Sequence, residues 1–418
     1  MPDASPEQSP VRYVALDIHQ EYIVVLALNG RKEVVMPARS VRMDRLRAWA
    51  QAALLPTDRV VLEATGNTWD IYDQLEPLVR SVTVANPNGV QPIAASRVKT
   101  DRRDARVLAE LLLVDMIPEV WVPPHHVREL RSLVAHRRRQ VQERTRLRNR
   151  LHAVLLRHNL APPGGELFSQ KQRSWWLNLP LSDIECLRVR QDLEQHDFLC
   201  TAIAATETQL GLLSNSAPWA DAAPFLLQLP GVGLLTAMVL LSAIGDITRF
   251  PNADKLVGYA GLGASVHSSG KTQYGGPITK RGRRELRTAL VEAAWTAIGT
   301  NPFWAAEFAK LEHRIGRKKA IVAVARKLLV VVWHVLTDHA ADRHASPEKV
   351  ARKFYQWAHK LTRVGRHGLT SPDFVARQLT RVRLGTDLTT LRYGRRTVRL
   401  PAVLPGTLRV PRKNSRDK

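Results

Sequence analysis

Cysteine is nearly absent from this chain: two residues in 418, Cys186 and Cys200, forming no CxxC pair. That scarcity excludes a disulfide scaffold and a zinc ribbon, and both sulfurs are expected to pack within a helical stretch. Long apolar runs are also missing. No stretch of about 18 apolar residues occurs, and the opening MPDASPEQSP lacks the basic and apolar regions of a signal peptide, so a soluble, cytoplasmic protein is expected. Acidic residues are the third shortage, with 38 Asp plus Glu against 62 Lys plus Arg, a net charge of +24 and a pI near 10.7. A field of that sign attracts nucleic acid or anionic lipid, and without a membrane segment lipid is the weaker partner. A chain of 418 residues suffices for two or three domains, each with its own core.

What is present begins with strands. RYVALDIHQEYIVVLAL (12–28) predicts two strands joined by a tight turn at His19 to Glu21, and DRVVL (58–62) predicts another, ending at Glu63. A helix is expected from Trp69 to Arg80, then a strand SVTVAN closed by Pro87. Strands alternating with helices predict an α/β layer over residues 11–118. Beyond the proline pair at 123 and 124 the pattern becomes helical. A long helix places Leu130, Val134, Val141, Leu147, Leu151 and Val154 along one side and carries ten arginines against two glutamates. That imbalance argues against mutual pairing and for a helix lying on a nucleic-acid backbone or a partner, within a helical, coiled-coil-like region 124–216 whose second half returns antiparallel. Residues 224–342 read as a mainly α domain. Its LPGVG before an apolar helix resembles the turn of a helix-hairpin-helix element, in which Gly231 and Gly233 would let backbone N–H groups approach a phosphate. From Arg352 onward, 17 Lys or Arg face 3 Asp, which predicts a basic nucleic-acid-binding tail over 350–418.

Four carboxylates stand out against this basic background. Asp17 falls within an apolar strand, where an acid wants a metal or a cationic partner. Glu63 ends a second strand. Asp101 and Asp104 sit three apart at a helix start in KTDRRDARVLAELL, on one face. Strand, strand end and helix pair together suggest a site for Mg²⁺, with Mn²⁺ as substitute, because hard oxygen ligands suit such ions and two of them about 4 Å apart can drive phosphodiester displacement. Lys99, Arg102 and Arg103 flank the helix pair and would hold the DNA backbone.

The segments ALDIHQEYIVV, VLEATGNTWDIYDQL, VANP and RVKTDRRDARVLAELL resemble, in order and spacing, the DEDD-type transposases of bacterial insertion sequences, which include the Piv-type invertases. LPGVGLLTAMVLLSAIGDITRFPNADKLVGYAGL and SSGKTQYGGPITKRGRRELR resemble the C-terminal domain of the same family, so the likeness spans about residues 12 to 340. It implies a RuvC-like domain of RNase H fold whose four acids bind Mg²⁺, and a C-terminal transposase domain whose serine attacks DNA. Ser269, paired with Gly270, matches that serine best, with Ser268 as its rival. Lys280, Arg281 and Arg287 would then surround the developing phosphorane with positive charge. The resemblance further implies donor and target DNA as substrates, a structured (bridge) guide RNA, and a dimer or tetramer. Arg283, where relatives often carry Asn, and Gly263 with Ala264, where a proline is usual, depart from the pattern. Two rivals remain: a metal-only junction resolvase whose C-terminal domain merely binds DNA, and an architectural nucleic-acid binder.

Overall fold

The computed structural model describes residues 11–90, 100–269 and 272–401. The chain divides into two compact units, Met1–Pro124 and His125–Lys418. The first is built on a five-stranded mixed sheet. In chain order it comprises β1 (Tyr13–Ile18), β2 (Tyr22–Leu28), β3 (Val34–Arg42), α1 (Leu46–Ala53), β4 (Arg59–Glu63), α2 (Thr68–Leu75), β5 (Ser81–Ala85), α3 (Pro87–Val90) and α4 (Asp101–Leu113). The sheet order is β3-β2-β1-β4-β5, antiparallel from β3 to β1 and parallel from β1 to β5.

The turn from His19 to Glu21 forms as its sequence predicts, closed by the His19 amide on the Tyr22 carbonyl at 2.9 Å. Alternation then sorts each strand onto two faces. Val14, Leu16, Val60 and Leu62 face α1 and α2, whereas Ala15, Val61 and Ala85 face Ala105, Leu108 and Leu112 of α4. The residues just before β1 and β4 illustrate the cost of burial. Asp58, fully buried, is neutralised by the Arg12 guanidinium at 2.8 and 2.6 Å and also accepts from the Leu55 amide. The helix expected to reach Arg80 stops at Leu75, because Pro77 follows it in a short 3₁₀ turn. The edge strand β3 escaped the pattern: only Met36 and Val41 of its nine residues are buried, and Pro37 interrupts the ladder.

The second unit contains α5 (His125–Arg157), α6 (Arg173–Leu177), α7 (Asp183–Ser214), α8 (Ala223–Leu227), α9 (Leu234–Ile244), α10 (Ala253–Tyr259), β6 (Ala264–Ser269), β7 (Thr272–Ile278), α11 (Arg284–Thr300), α12 (Pro302–Ile315), α13 (Arg317–Asp338), α14 (Pro347–Lys360), α15 (Ser371–Val382), β8 (Thr390–Tyr393) and β9 (Arg396–Arg399). Helices α5 and α7 run antiparallel. Their apolar seam includes Leu151, Val154, Val189 and Leu193, and it is flanked by Arg137–Glu207, Arg150–Asp192 and Arg157–Glu185 pairs at 2.6, 2.6 and 3.2 Å. The one-sided charge of α5 is therefore answered from outside the helix: Arg138 reaches Glu285 of α11, and Arg131 donates to the Ser242 and Ala243 carbonyls at the end of α9. Cys186 and Cys200 are free, and Cys200 lies 3.7 Å from Nε2 of His196 one turn away.

Helix α13 alone among the described helices is long and apolar enough to cross a membrane. Its Ile321, Val324, Leu328, Leu329 and Val332 are instead buried in the core of this unit. The basic stretch after Arg352, read from its charge as a tail, is folded as far as Leu400, because α14 and α15 each carry an apolar stripe. Phe354, Trp357 and Phe374 are fully buried, and the Trp357 indole donates to Ser214 Oγ at 2.8 Å. Gly231 shows how tightly these helices meet. Its φ is +76°, and a Cβ there would stand 2.0 Å from the Ala293 carbonyl oxygen of α11. Gly231→Ala should destabilise the unit by about 2 kcal/mol or more. Urea unfolding checks this, and Gly233→Ala, with nothing within 4 Å of its added Cβ, is the matched control.

Candidate functional site

Three elements of the first unit bring the predicted acids together. Asp17 follows Ala15 on the α4 face of β1, and Glu63 follows Val61 on the same face of β4. The parallel register sets Leu16 opposite Leu62, so the two acids leave the ends of neighbouring strands side by side. Helix α4 lies over this face, and its first turn carries Asp101 and Asp104, continuing the stripe of Ala105, Leu108 and Leu112. All four acids are partly buried. Arg102 and Arg103 are exposed on the same turn; Lys99 lies outside the described residues.

Two further residues at this site were not singled out from the sequence. His19 Nε2 lies 3.3 Å from Asp17 Oδ2 and 3.4 Å from Asp101 Oδ2. Tyr22 donates its hydroxyl to Asp101 Oδ2 at 3.1 Å and stacks on the His19 ring at 4.6 Å. His19 stands two residues beyond Asp17, and that spacing was the available signal. One oxygen each of Asp17 and Asp101, with a His19 nitrogen, lie within 4.8 Å of one another, a spacing that can hold a metal ion. Thr68 fixes the loop after Glu63, accepting from the Thr65 amide at 2.6 Å and donating to the Glu63 carbonyl at 3.2 Å.

Burial pushes the Asp17 carboxyl above its ordinary value; His19 pulls it down, and Asp101 and Asp104 push it up again. A carboxyl raised on folding contributes stability that is fully present below its unfolded value, 3.8, and lost as pH rises through the folded value. In chelator at pH 7, Asp17→Asn should therefore be the more stable chain, with the gap closing as pH falls toward 4. Divalent metal should reverse the order, since it stabilises the wild type by about 2.7 kcal/mol at a hundred times its Kd. Thermal unfolding in chelator and in metal reads both effects.

In the second unit, Ser268 and Ser269 end β6, in register with Gln273 and Thr272 of β7. Within HSSGK the two serines thus lie in a strand paired antiparallel with β7, while Gly270 and Lys271 lie outside the described residues. After β7 the chain folds back on α10. The Lys280 amide donates to the Gly261 carbonyl and that of Arg283 to Tyr259, and at Gly282, φ +129°, a Cβ would meet the Tyr259 carbonyl oxygen at 2.2 Å. Lys280 and Arg281 are exposed. Arg287 instead donates to the Ala260 and Lys280 carbonyls at 3.0 and 3.3 Å, so it secures the turn. Arg283 donates to the Tyr259 hydroxyl at 3.0 Å, and the Arg249 guanidinium lies over the Tyr259 ring at 4.6 Å. Burial would raise that phenol, but Arg283, Arg131 and Arg249 outweigh it and hold it below its ordinary value. Gly231 serves the packing described above, and Gly233 is the exposed N-cap of α9.

Comparison with known proteins gives the family of the chain. Residues 14–160 match a family model described as a transposase of the DEDD, IS110 type, and residues 223–310 match the transposase IS116/IS110/IS902 family. A putative transposase, y4qE, of Sinorhizobium fredii is 30% identical over 361 residues, covering 81% of this chain and 88% of the relative. The transposase for insertion sequence element IS1111A of Coxiella burnetii is 26% identical over 80% of this chain and 92% of its own length. The pilin gene-inverting protein of Moraxella bovis is 28% identical over 78% and 96%. These relatives make the protein a DNA-cutting recombination enzyme. The chain belongs to the IS110 family of insertion-sequence transposases.

Proposed function

We propose that this transposase cuts and rejoins donor and target DNA with two groups acting in one reaction. The first is the Asp17, Glu63, Asp101 and Asp104 cluster, as the Mg²⁺ or Mn²⁺ site of an RNase H-like domain; the second is Ser269, as nucleophile. The observation that carries this reading is the meeting of Asp17 and Glu63, at the ends of adjacent parallel strands, with the first turn of α4 on one face of the sheet. The sheet order, with three antiparallel strands continued by two parallel ones, supports an RNase H-like fold of the RuvC type.

The donor set fits a hard divalent cation: oxygens of Asp17 and Asp101 converge with a His19 nitrogen, and burial together with the neighbouring Asp101 and Asp104 disfavours the charge of Asp17. When bound, such an ion stabilises charge developing on the phosphate and its leaving oxygen. The chain's own residues do the remaining work. Tyr22 and His19 hold the Asp101 carboxylate, and His19 also holds that of Asp17. Arg102 and Arg103 are exposed to take backbone phosphates. Ser269 Oγ bonds to phosphorus as a phosphorus–deoxyribose oxygen bond breaks, and the serine proton passes to the departing oxygen. The ester so formed keeps the bond energy for rejoining. Lys280 and Arg281 supply positive charge near the hairpin.

On this reading a structured RNA from the element selects both DNAs by base pairing, and the protein works as a dimer or tetramer. Recombination between donor and target plasmids should require the element's flanking noncoding DNA, supplied in cis or as its transcript. Equal activity without that transcript removes the guide from the account. A second reading, hydrolysis by water at the acid cluster alone, draws support from the complete carboxylate set within the first unit.

A further inference from the structure

The second unit holds a cleft of about 770 Å³ between the start of α9 and the end of α11, both inside the match over 223–310, and α14, which lies beyond it. Its walls are largely apolar, with Leu235 and Val350 among them, and α14 lines it with Lys349, Arg352, Lys353 and Lys360. No carboxylate pairs with any of these four cations among the described residues. Lys349 donates to the Thr300 carbonyl at the end of α11 (2.6 Å), and Lys353 to the Leu229 carbonyl (2.5 Å). The Lys349 ammonium is thereby held at the end of α11 and that of Lys353 at the turn before α9, in a cleft that the first turn of α9 also lines with its positive partial charge. Burial also pulls the Lys353 ammonium down to about 7, so an anion in the cleft would favour its charged form.

Arg352 has a second neighbour. It also lines a cleft of about 420 Å³ with Gln356, Arg392, Tyr393 and Gly394 of the β8–β9 hairpin. That hairpin exposes Arg392, Arg395, Arg396 and Arg399, and Tyr393 lies 4.9 Å from the Tyr355 ring of α14. Arg352 is therefore shared by the two clefts, and cations line both. A duplex keeps its bases stacked and could present only phosphates here, leaving the apolar walls unfilled. A single strand can turn a base into such a pocket while its phosphates follow the cations.

We propose that this cleft seats one nucleotide of a single-stranded polynucleotide, its base against Leu235 and Val350 and its phosphates on Lys349, Arg352 and Lys353, with the strand continuing over Arg352 to the β8–β9 hairpin. The proposal rests on the assignment of the chain as a DNA-processing enzyme, but not on which residues perform the chemistry. DNA and RNA strands share the required groups.

The test is fluorescence anisotropy of the full chain with a short labelled single strand of mixed sequence, as DNA and as RNA. The Lys349→Gln, Arg352→Gln double variant should bind about tenfold or more weakly, with a salt slope shallower by about 1.4, as expected for two lost phosphate contacts. The Lys318→Gln, Lys319→Gln double variant removes equal charge from exposed positions at the start of α13. It should change affinity by less than about twofold, and melting curves must show both variants folded. Equal losses in the two variants would overturn the proposal, as would a wild type that binds duplex but neither single strand. A strand of abasic nucleotides binding as tightly as the intact one would overturn the seated base. Plasmid recombination by Asp104→Ala is read separately, so failure here and failure of the acid site are distinguishable.

Discussion

Asp104→Ala should abolish recombination, with the rate falling about 10³-fold or more, while affinity for donor DNA changes by less than about threefold. The size of the effect follows from the geometry. Asp17 and Glu63 come from strand ends fixed by a buried sheet, and Asp101 and Asp104 from a helix turn anchored by Ala105 and Leu108, so no neighbouring acid can move in to replace a lost one. Retained DNA binding is expected because the basic surfaces on α4, α14 and the β8–β9 hairpin are untouched. A plasmid recombination assay beside a DNA-binding titration measures both quantities. Full recombination by Asp104→Ala and Asp17→Ala would identify an architectural binder instead.

Ser269→Ala carries the second large expectation. With the serine as nucleophile, the covalent protein–DNA adduct disappears and strand exchange falls by about 10³-fold or more, whereas divalent metal still stabilises the first unit. Denaturing electrophoresis after incubation with labelled donor DNA reads the adduct directly. Strand cleavage that persists in Ser269→Ala would instead establish the metal-only reaction with water. Ser268→Ala in parallel decides between the two hydroxyls: the adduct should persist in Ser268→Ala and vanish in Ser269→Ala.

Much of the acid site was legible because its signals are local. The apolar runs set Asp17 within one strand and Glu63 at the end of another, and the i, i+3 spacing placed Asp101 with Asp104 at a helix start. The contributions of His19 and Tyr22 were not legible. They depend on a hairpin turning His19 and Tyr22 back toward a helix about 80 residues later in the chain, a long-range closure no periodicity reports. Strand β3 was missed because an exposed edge with Pro37 carries almost no apolar pattern. Net charge did not report the packing of α5 or the folding after Arg352, since it counts cations without locating their partners. The partners of Arg137, Arg150 and Arg157 all lie on α7, and the apolar stripe of Phe354, Trp357 and Phe374 is diluted among lysines and arginines.

The ion pairs between α5 and α7 have a consequence for dimension and not only for charge. Helix α5, at 33 residues, is about 50 Å long, and Arg137, Arg150 and Arg157 meet Glu207, Asp192 and Glu185 like graduations on two rulers laid head to tail. Leucine against leucine would tolerate a slip of one turn; these graduations would not. One residue inserted into α7 between Asp192 and Glu207 would swing Glu207 about 100° from Arg137 while leaving the other two marks aligned. The pair is thus a calibrated spacer, in which arginine specifies length.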